Sequence, residues 1–199
     1  MTSKLSITNP VFDTIRDRRS VRSYSPRPIP QHILTAIIKA GNMAPTGHNR
    51  QPWRFVVVEN QDVKRKLLEI TLPLDQEMLK RLKTTDPQLY ASIRQSAQYT
   101  PKDPIYFSAP VILFVIGTGG GTESIDCSLV CQNIMLAAHS LGIGSCMVGA
   151  GRRGLTYDPE IVKALELTEE ETIYPPIVLG YPKSSPKPPP KKKPKIKWI

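Results

Sequence analysis

The stretch from residue 124 to 141 limits this chain most. Leu129, Val130, Ile134, Met135, Leu136, Ala137, Ala138 and Leu141 leave few polar positions in its second half, and no proline or glycine interrupts it. It reads as the longest helix. A helix apolar on most faces is buried on more than one side. A chain of 199 residues can bury one sizeable core and not comfortably two. The second apolar side is therefore a candidate surface for a partner subunit.

Around this helix the apolar runs are short. Residues 54–58 and 109–116 are continuous enough to read as buried strands, and 173–179 as a last one. Residues 142–149 read as a turn into a further short strand. Helices are expected over 10–17, from Pro30 to Gly41 with the glycine as stop signal, over 62–70 and over 159–165. Strands alternating with helices predict an α+β or α/β sandwich. Residues 71–104 are polar and helical by pattern, anchored by Leu79, Leu82, Leu89 and Ile93, and suggest a lid or peripheral insertion.

Composition narrows the classes. The chain is 40% apolar with 20 prolines and a net charge of +10. Seven lysines, at 183, 187, 191, 192, 193, 195 and 197, lie beyond Pro182 with no acid among them, leaving +3 for the first 182 residues. A body so mildly basic is no nucleic-acid footprint. Residues 1–182 thus read as one domain and 183–199 as a Pro/Lys-rich arm, which tends to polyproline II and ends in Ile196, Trp198 and Ile199. Such an arm is expected to dock on something. Cys127, Cys131 and Cys146 form no C-x-x-C pair, so neither a metal site nor a disulfide framework is expected. Residues 1–10 hold no apolar run, and 109–116 is far too short to span a bilayer. A soluble cytoplasmic protein without membrane or nucleic-acid partner is expected.

Charged chemistry concentrates near the start. Arg18-Arg19-Ser20-Val21-Arg22-Ser23-Tyr24 puts three guanidiniums, two serine hydroxyls and a phenol between a short helix and a proline-rich segment. Arg18 and Arg19 are expected in a last helical turn, and Ser20 and Arg22 on one side of extended chain. Arginine forks and hydroxyls converging this way suit a phosphate. Other candidates are weaker. Gly149 to Gly154 fits G-x-G-x-x-G but opens no helix at once, and the glycines at 117–121 lack the third position. His32, His48 and His139 sit in no hydrolase or zinc motif. A ligand with a dianionic phosphate and a flat polar ring would take the arginines at one end and amides such as Asn49 and Gln51 along the ring. That is the profile of FMN, and Arg22 would then offset negative charge on the reduced ring.

Arg18 to Tyr24, the loop Ala44-Pro45-Thr46-Gly47-His48-Asn49-Arg50-Gln51-Pro52-Trp53, the Leu141-Gly142-Ile143-Gly144 turn and Gly180-Tyr181-Pro182 before a basic tail resemble the FMN-dependent nitroreductase family, in order and spacing. The resemblance covers nearly all of the chain except about 71–104. It implies an α+β fold with a central, mostly antiparallel sheet flanked by helices, and an intertwined homodimer with FMN at its interface. It implies ping-pong hydride transfer from NAD(P)H to FMN and on to nitro compounds, quinones or similar small acceptors. Reductive dehalogenation or flavin breakdown are the related alternatives, and a polybasic nucleic-acid binder the unrelated one.

By the same resemblance Arg18, Arg19 and Ser20 match phosphate and ribityl contacts, and Arg22 the cation at the ring's pyrimidine edge. Pro45, Thr46, Gly47 and Asn49 match the loop that reaches the other subunit's flavin, with Gln51 beside them. Cys146, Met147 and Gly149 match the backbone facing the ring, and Lys191 and Lys193 the basic residues returning to the phosphate. The flavin does the chemistry, so no side chain is needed as acid or base. This chain has Met147-Val148-Gly149-Ala150 where many members have Pro-x-Glu-Gly, which bears on substrate preference. An arginine for a 2′-phosphate could be Arg50, Arg152 or Arg153.

Overall fold

The computed structural model describes residues 9–97, 102–184 and 186–199. Residues 1–8 of the expected leaderless start, 98–101 of the expected insertion and Ser185 of the arm lie outside them. Six helices and five strands follow in order among the described residues: α1 (Pro10–Asp17), α2 (Gln31–Asn42), β1 (Trp53–Val58), α3 (Gln61–Thr85), α4 (Pro87–Ala97), β2 (Val111–Gly117), α5 (Glu123–Ser140), β3 (Gly144–Met147), α6 (Pro159–Ala164), β4 (Thr172–Ile173) and β5 (Ile177–Gly180).

The sheet runs β1-β2-β5-β3, with β4 also on β2, and every strand pair is antiparallel. Its centre is β2, buried along its whole length. Alternation sends Ile112, Phe114 and Ile116 into a core with Leu67, Tyr106, Leu155 and Ile161, and Val111, Leu113 and Val115 into another with Ile37, Val130 and Ile134. The fold is thus α+β, helices on either side of an antiparallel sheet, as expected.

Four details differ from the sequence reading. The longest helix is α3, which runs 25 residues through Pro73 instead of ending at residue 70. Pro73 sits on an exposed face while Leu67, Thr71 and Asp75 are buried, so packing on one side holds a helix that local preference would break. Gly41 does not stop α2; it lies inside it, where a Cβ would come within 2.6 Å of Ile134 Cγ1. The glycine marks a close crossing of α2 and α5. β1 is an edge strand, buried at Trp53 and Val58 and half-open between. Finally, Pro175 and Pro176 split the last strand into β4 and β5, since proline brings no ladder N–H.

At the far edge from β1, residues 18–25 complete the sheet. Ser20 bridges Ser145 in parallel, with Val21 N–H donating to the Ser145 carbonyl at 3.0 Å. Tyr24 bridges Pro182, Ser25 N–H donates to Tyr181 (2.8 Å) and Lys183 N–H to Ser23 (3.0 Å). Gly144 permits this: a Cβ there would meet three Val21 side-chain carbons at 2.9–3.0 Å. Among the described residues no helix is long and apolar enough to cross a membrane.

Candidate active site

Arg18 caps α1 with ψ 134°, so the helix has ended before the arginines and Arg18 is not in a helical turn. From there extended backbone alternates its side chains. Arg19 turns back to the helix end, where its Nη1 donates to the Arg16 and Arg18 carbonyls at 2.6 and 2.8 Å. It lines a cavity of about 160 Å³ with Asp17, His139 and Ser145. Ser20 is instead bridged to Ser145, next to Cys146, and Arg22 lines a second cavity with Cys146. Burial pushes the Cys146 thiol up, and the Arg22 guanidinium, a hydrogen bond with Ser20 and the Arg18 guanidinium oppose it in that order.

That second cavity is larger, about 340 Å³. Its floor is Arg22, Cys146, Met147, Val148, Gly149 and Ala150. One side is Pro104, Ile105 and Phe107, presented by a turn that Asp103 ties with its carboxylate, accepting from Tyr106 N at 2.7 Å and Ser108 N at 2.8 Å. Phe107 adopts a left-handed φ of 57° and stacks 5.9 Å from the Arg22 guanidinium carbon. The wall is the α3 face Leu72, Asp75, Gln76 and Leu79, at helical spacing, with Ser92, Ile93 and Arg94 of α4. Asp75 pairs with Arg153, tying the wall to the segment after β3. The sequence reading placed a lid or insertion at 71–104 but named no site residue there. The signal was present in the 72, 75, 76, 79 spacing.

Two polar atoms stay buried without a partner among the described residues, Arg18 Nη1 and Ser145 Oγ. A buried guanidinium nitrogen with nothing to donate to is costly unless a ligand supplies the acceptor. Arg18, Ser20 and Arg22 therefore fit an anionic, hydrogen-bonding group such as the phosphate and ring edge of FMN.

The second predicted group lies elsewhere. Gly47–Asn49 forms a 3₁₀ turn, and His48, Asn49 and Gln51 all have left-handed φ between 48° and 54°. Thr46 holds the turn by donating to Asp126 at 3.0 Å and accepting from Gln51 N at 3.2 Å, while Gln51 Nε2 donates to Asn49 Oδ1 at 3.0 Å. Gly47 sits tight on Thr122, which also donates to Asp126 (2.8 Å). Pro45, Asn49 and Gln51 are exposed. None of residues 45–51 lines the cavity at Arg22. Lys191 and Lys193 are exposed and outside it too. One chain thus lines the cavity with Arg22, Cys146, Met147 and Gly149, sets Ser20 next to them on Ser145 and Arg18 within electrostatic reach of Cys146, and leaves the 45–51 loop, Arg19 and the tail lysines outside the cavity.

Of the arginines offered for a 2′-phosphate, Arg153 is engaged by Asp75 and Arg152 donates to the Ile173 carbonyl at 3.2 Å. The glycine-rich strand exit is held by Glu123, which accepts from Gly119 N–H and, at 2.9 Å, from Tyr174. The three cysteines are free and buried, with burial raising Cys127 to about 12 and Cys131 to about 11.

This chain is similar to known proteins over most of its length. A protein of Archaeoglobus fulgidus named "Putative NADH dehydrogenase/NAD(P)H nitroreductase" is 33% identical over 173 residues, 85% of this chain and 83% of the relative. An iodotyrosine deiodinase of Thermotoga neapolitana is 24% identical over 190 residues, 89% of this chain and 91% of the relative. A nitroreductase with bound FMN from Desulfitobacterium hafniense superposes with a TM-score of 0.78 at 27% identity, covering 97% of this chain and 100% of that one. The sequence profile of the Nitroreductase family matches residues 15–181, from the end of α1 to the close of the sheet, and the chain belongs to that family.

Proposed function

We propose that the protein is an FMN-dependent NAD(P)H oxidoreductase acting on nitro compounds, quinones or similar small acceptors. The observation that carries this reading is the buried, unpartnered Arg18 Nη1, whose guanidinium acts on Cys146 together with Ser20 and Arg22, Arg22 and Cys146 lying on the cavity floor. Bound there, FMN would accept hydride from NAD(P)H and pass it to the acceptor. Arg18 and Ser20 would hold the phosphate end, and Arg22 would offset charge at the ring edge. Cys146, Met147 and Gly149 would supply backbone against the ring. Phe107 and the α3 wall would exclude water.

A homodimer completes the reading. Val11, Phe12 and Ile15 of α1 and Ile125 and Leu129 of α5 are exposed apolar side chains, and α1 buries none of its residues. We place the second copy on these helices. Pro45, Thr46, Gly47, Asn49 and Gln51 would then serve the partner's flavin, and Arg19, Lys191 and Lys193 would close on a phosphate as it binds. A cytoplasmic setting suits three free, buried thiols.

The purified protein should be yellow, bind FMN on titration and bleach with NADH or NADPH under nitrogen. A colourless protein that takes up no FMN sinks the reading. The deiodinase relative favours a second reading, reductive dehalogenation. Single-turnover reoxidation by a nitroaromatic, a quinone and an iodophenol separates the two. Loss of FMN on deleting residues 183–199 would support the phosphate role of the arm. Retention of FMN with loss of oligonucleotide binding would instead favour the nucleic-acid role.

A further inference from the structure

Four charged side chains line the cavity: Arg22, Arg94, Arg153 and Asp75. Three are accounted for. Asp75 and Arg153 neutralise one another. Arg22 lies on the floor, against Phe107 and near Cys146. Arg94 has no ion pair or hydrogen bond among the described residues. It stands on α4 among apolar lining, with Ile93 beside it and Leu72, Met78 and Leu79 on α3. A guanidinium beside apolar walls interacts more strongly with charge than one in open water. Its planar fork suits a carboxylate, sulfonate or phosphate. The lining carries a net charge of +2, with no carboxylate left over to receive a cation.

We infer that Arg94 is the anion-recognising residue of this cavity. The substrate that meets it carries an anionic group on the end remote from the reacting ring. Arg94 is exposed, so the anion sits toward the mouth and the flat body points inward past Ile105 and Phe107 toward the flavin that the floor would hold. This rests on the oxidoreductase reading and adds a substrate class to it. The anion has two possible sources, a carboxylate on the acceptor or a phosphate of the nicotinamide donor.

The test uses the FMN-loaded full chain as parent, Arg94→Gln, Arg94→Lys and Arg81→Gln. Arg81 lies near the end of α3, pairs with Glu77 and is absent from the cavity lining, so it controls for net charge. Reduction by NADH and NADPH and reoxidation by 4-nitrobenzoate and neutral 4-nitrobenzyl alcohol are measured separately by stopped flow. Benzoate affinity is measured by calorimetry as a readout independent of turnover.

Arg94→Gln should lower the second-order constant for 4-nitrobenzoate about tenfold and weaken benzoate similarly, with the alcohol unchanged within twofold. Arg94→Lys should recover part of the loss, and Arg81→Gln should behave as parent. A loss confined to NADH and NADPH assigns the anion to the donor's phosphates and still supports the inference. Equal losses for the neutral and charged acceptors, no loss with any anion, or the same loss in Arg81→Gln would overturn it. If the parent is not reduced by either nucleotide, the oxidoreductase reading itself has failed.

Discussion

The floor and the wall of the cavity at Arg22 are built in opposite ways. The floor is sheet: residues 18–25 are bonded to β3 on one side and to Tyr181 and Lys183 further along. Val21, Tyr24, Cys146 and Val148 beneath it are buried. The wall is two helices, α3 and α4, mixed in polarity and partly exposed, tied back by the Asp75–Arg153 pair. A floor set by backbone ladders can hold a constant ligand in fixed register. A wall held by side chains can vary without disturbing that register. The division suggests that cofactor affinity belongs to the floor and substrate choice to the wall.

That contrast can be broken most directly at the floor. Replacing Arg18 and Arg22 together with alanine should weaken FMN about 100-fold or more, as two charge-assisted contacts are lost, while reducing thermal stability little. Fluorescence titration of FMN and a melting curve check both halves. Unchanged affinity would mean that the floor is not the cofactor site. Gly144→Ala should be next. It forces Val21 away from β3 and should cost about 2 kcal/mol of stability, within the usual range for overpacking, and should weaken FMN in parallel.

The wall should respond differently. Asp75→Asn leaves Arg153 without its charge and should cost about 1 kcal/mol. FMN affinity should stay within twofold while KM for the acceptor rises. An equal loss of FMN affinity would erase the distinction between the two regions. The smallest effect serves as a control on β1, which contributes to neither region. Arg54 hydrogen-bonds Glu171 at 2.6 Å and holds its carboxyl below the usual range. A lowered pKa contributes stability that is present above about pH 4.5 and lost as pH falls through the lowered value. The Tm gap between parent and Glu171→Gln should therefore narrow on acidification below pH 4.5, with FMN affinity and KM untouched.

Much of the floor was legible because its signals are local. The arginine-serine run, the prolines after it and the glycine turn before β3 each point to a backbone geometry. Both apolar strands were found, and α5 was placed within a residue. The wall was less legible for a physical reason. Its contacts join residues far apart, such as Asp75 with Arg153, and no short motif encodes a pairing 78 residues apart. Pro73 concealed the continuity of α3, because tertiary packing overrode a strong local signal. Gly41 was found but misread: a glycine near a helix end looks like a stop whether it frees φ or admits a neighbour. Arg18 and Arg19 were expected in one helical turn, but α1 ends at Asp17, and alternation along extended chain sends adjacent side chains to opposite faces.

The stitching of residues 20–25 to Ser145, Tyr181 and Lys183 also bears on biogenesis. The strand leaves a ribosome before its bonding partners, which are synthesised some 120 to 160 residues later. At about 5–20 residues per second, it waits roughly 10–30 s before the last of them exists. Pairings of such long sequence separation also form slowly once available. Whatever nucleotide the arginines eventually grip must therefore be captured after Lys183 has been made, and chains truncated before Ser145 should be unable to load it.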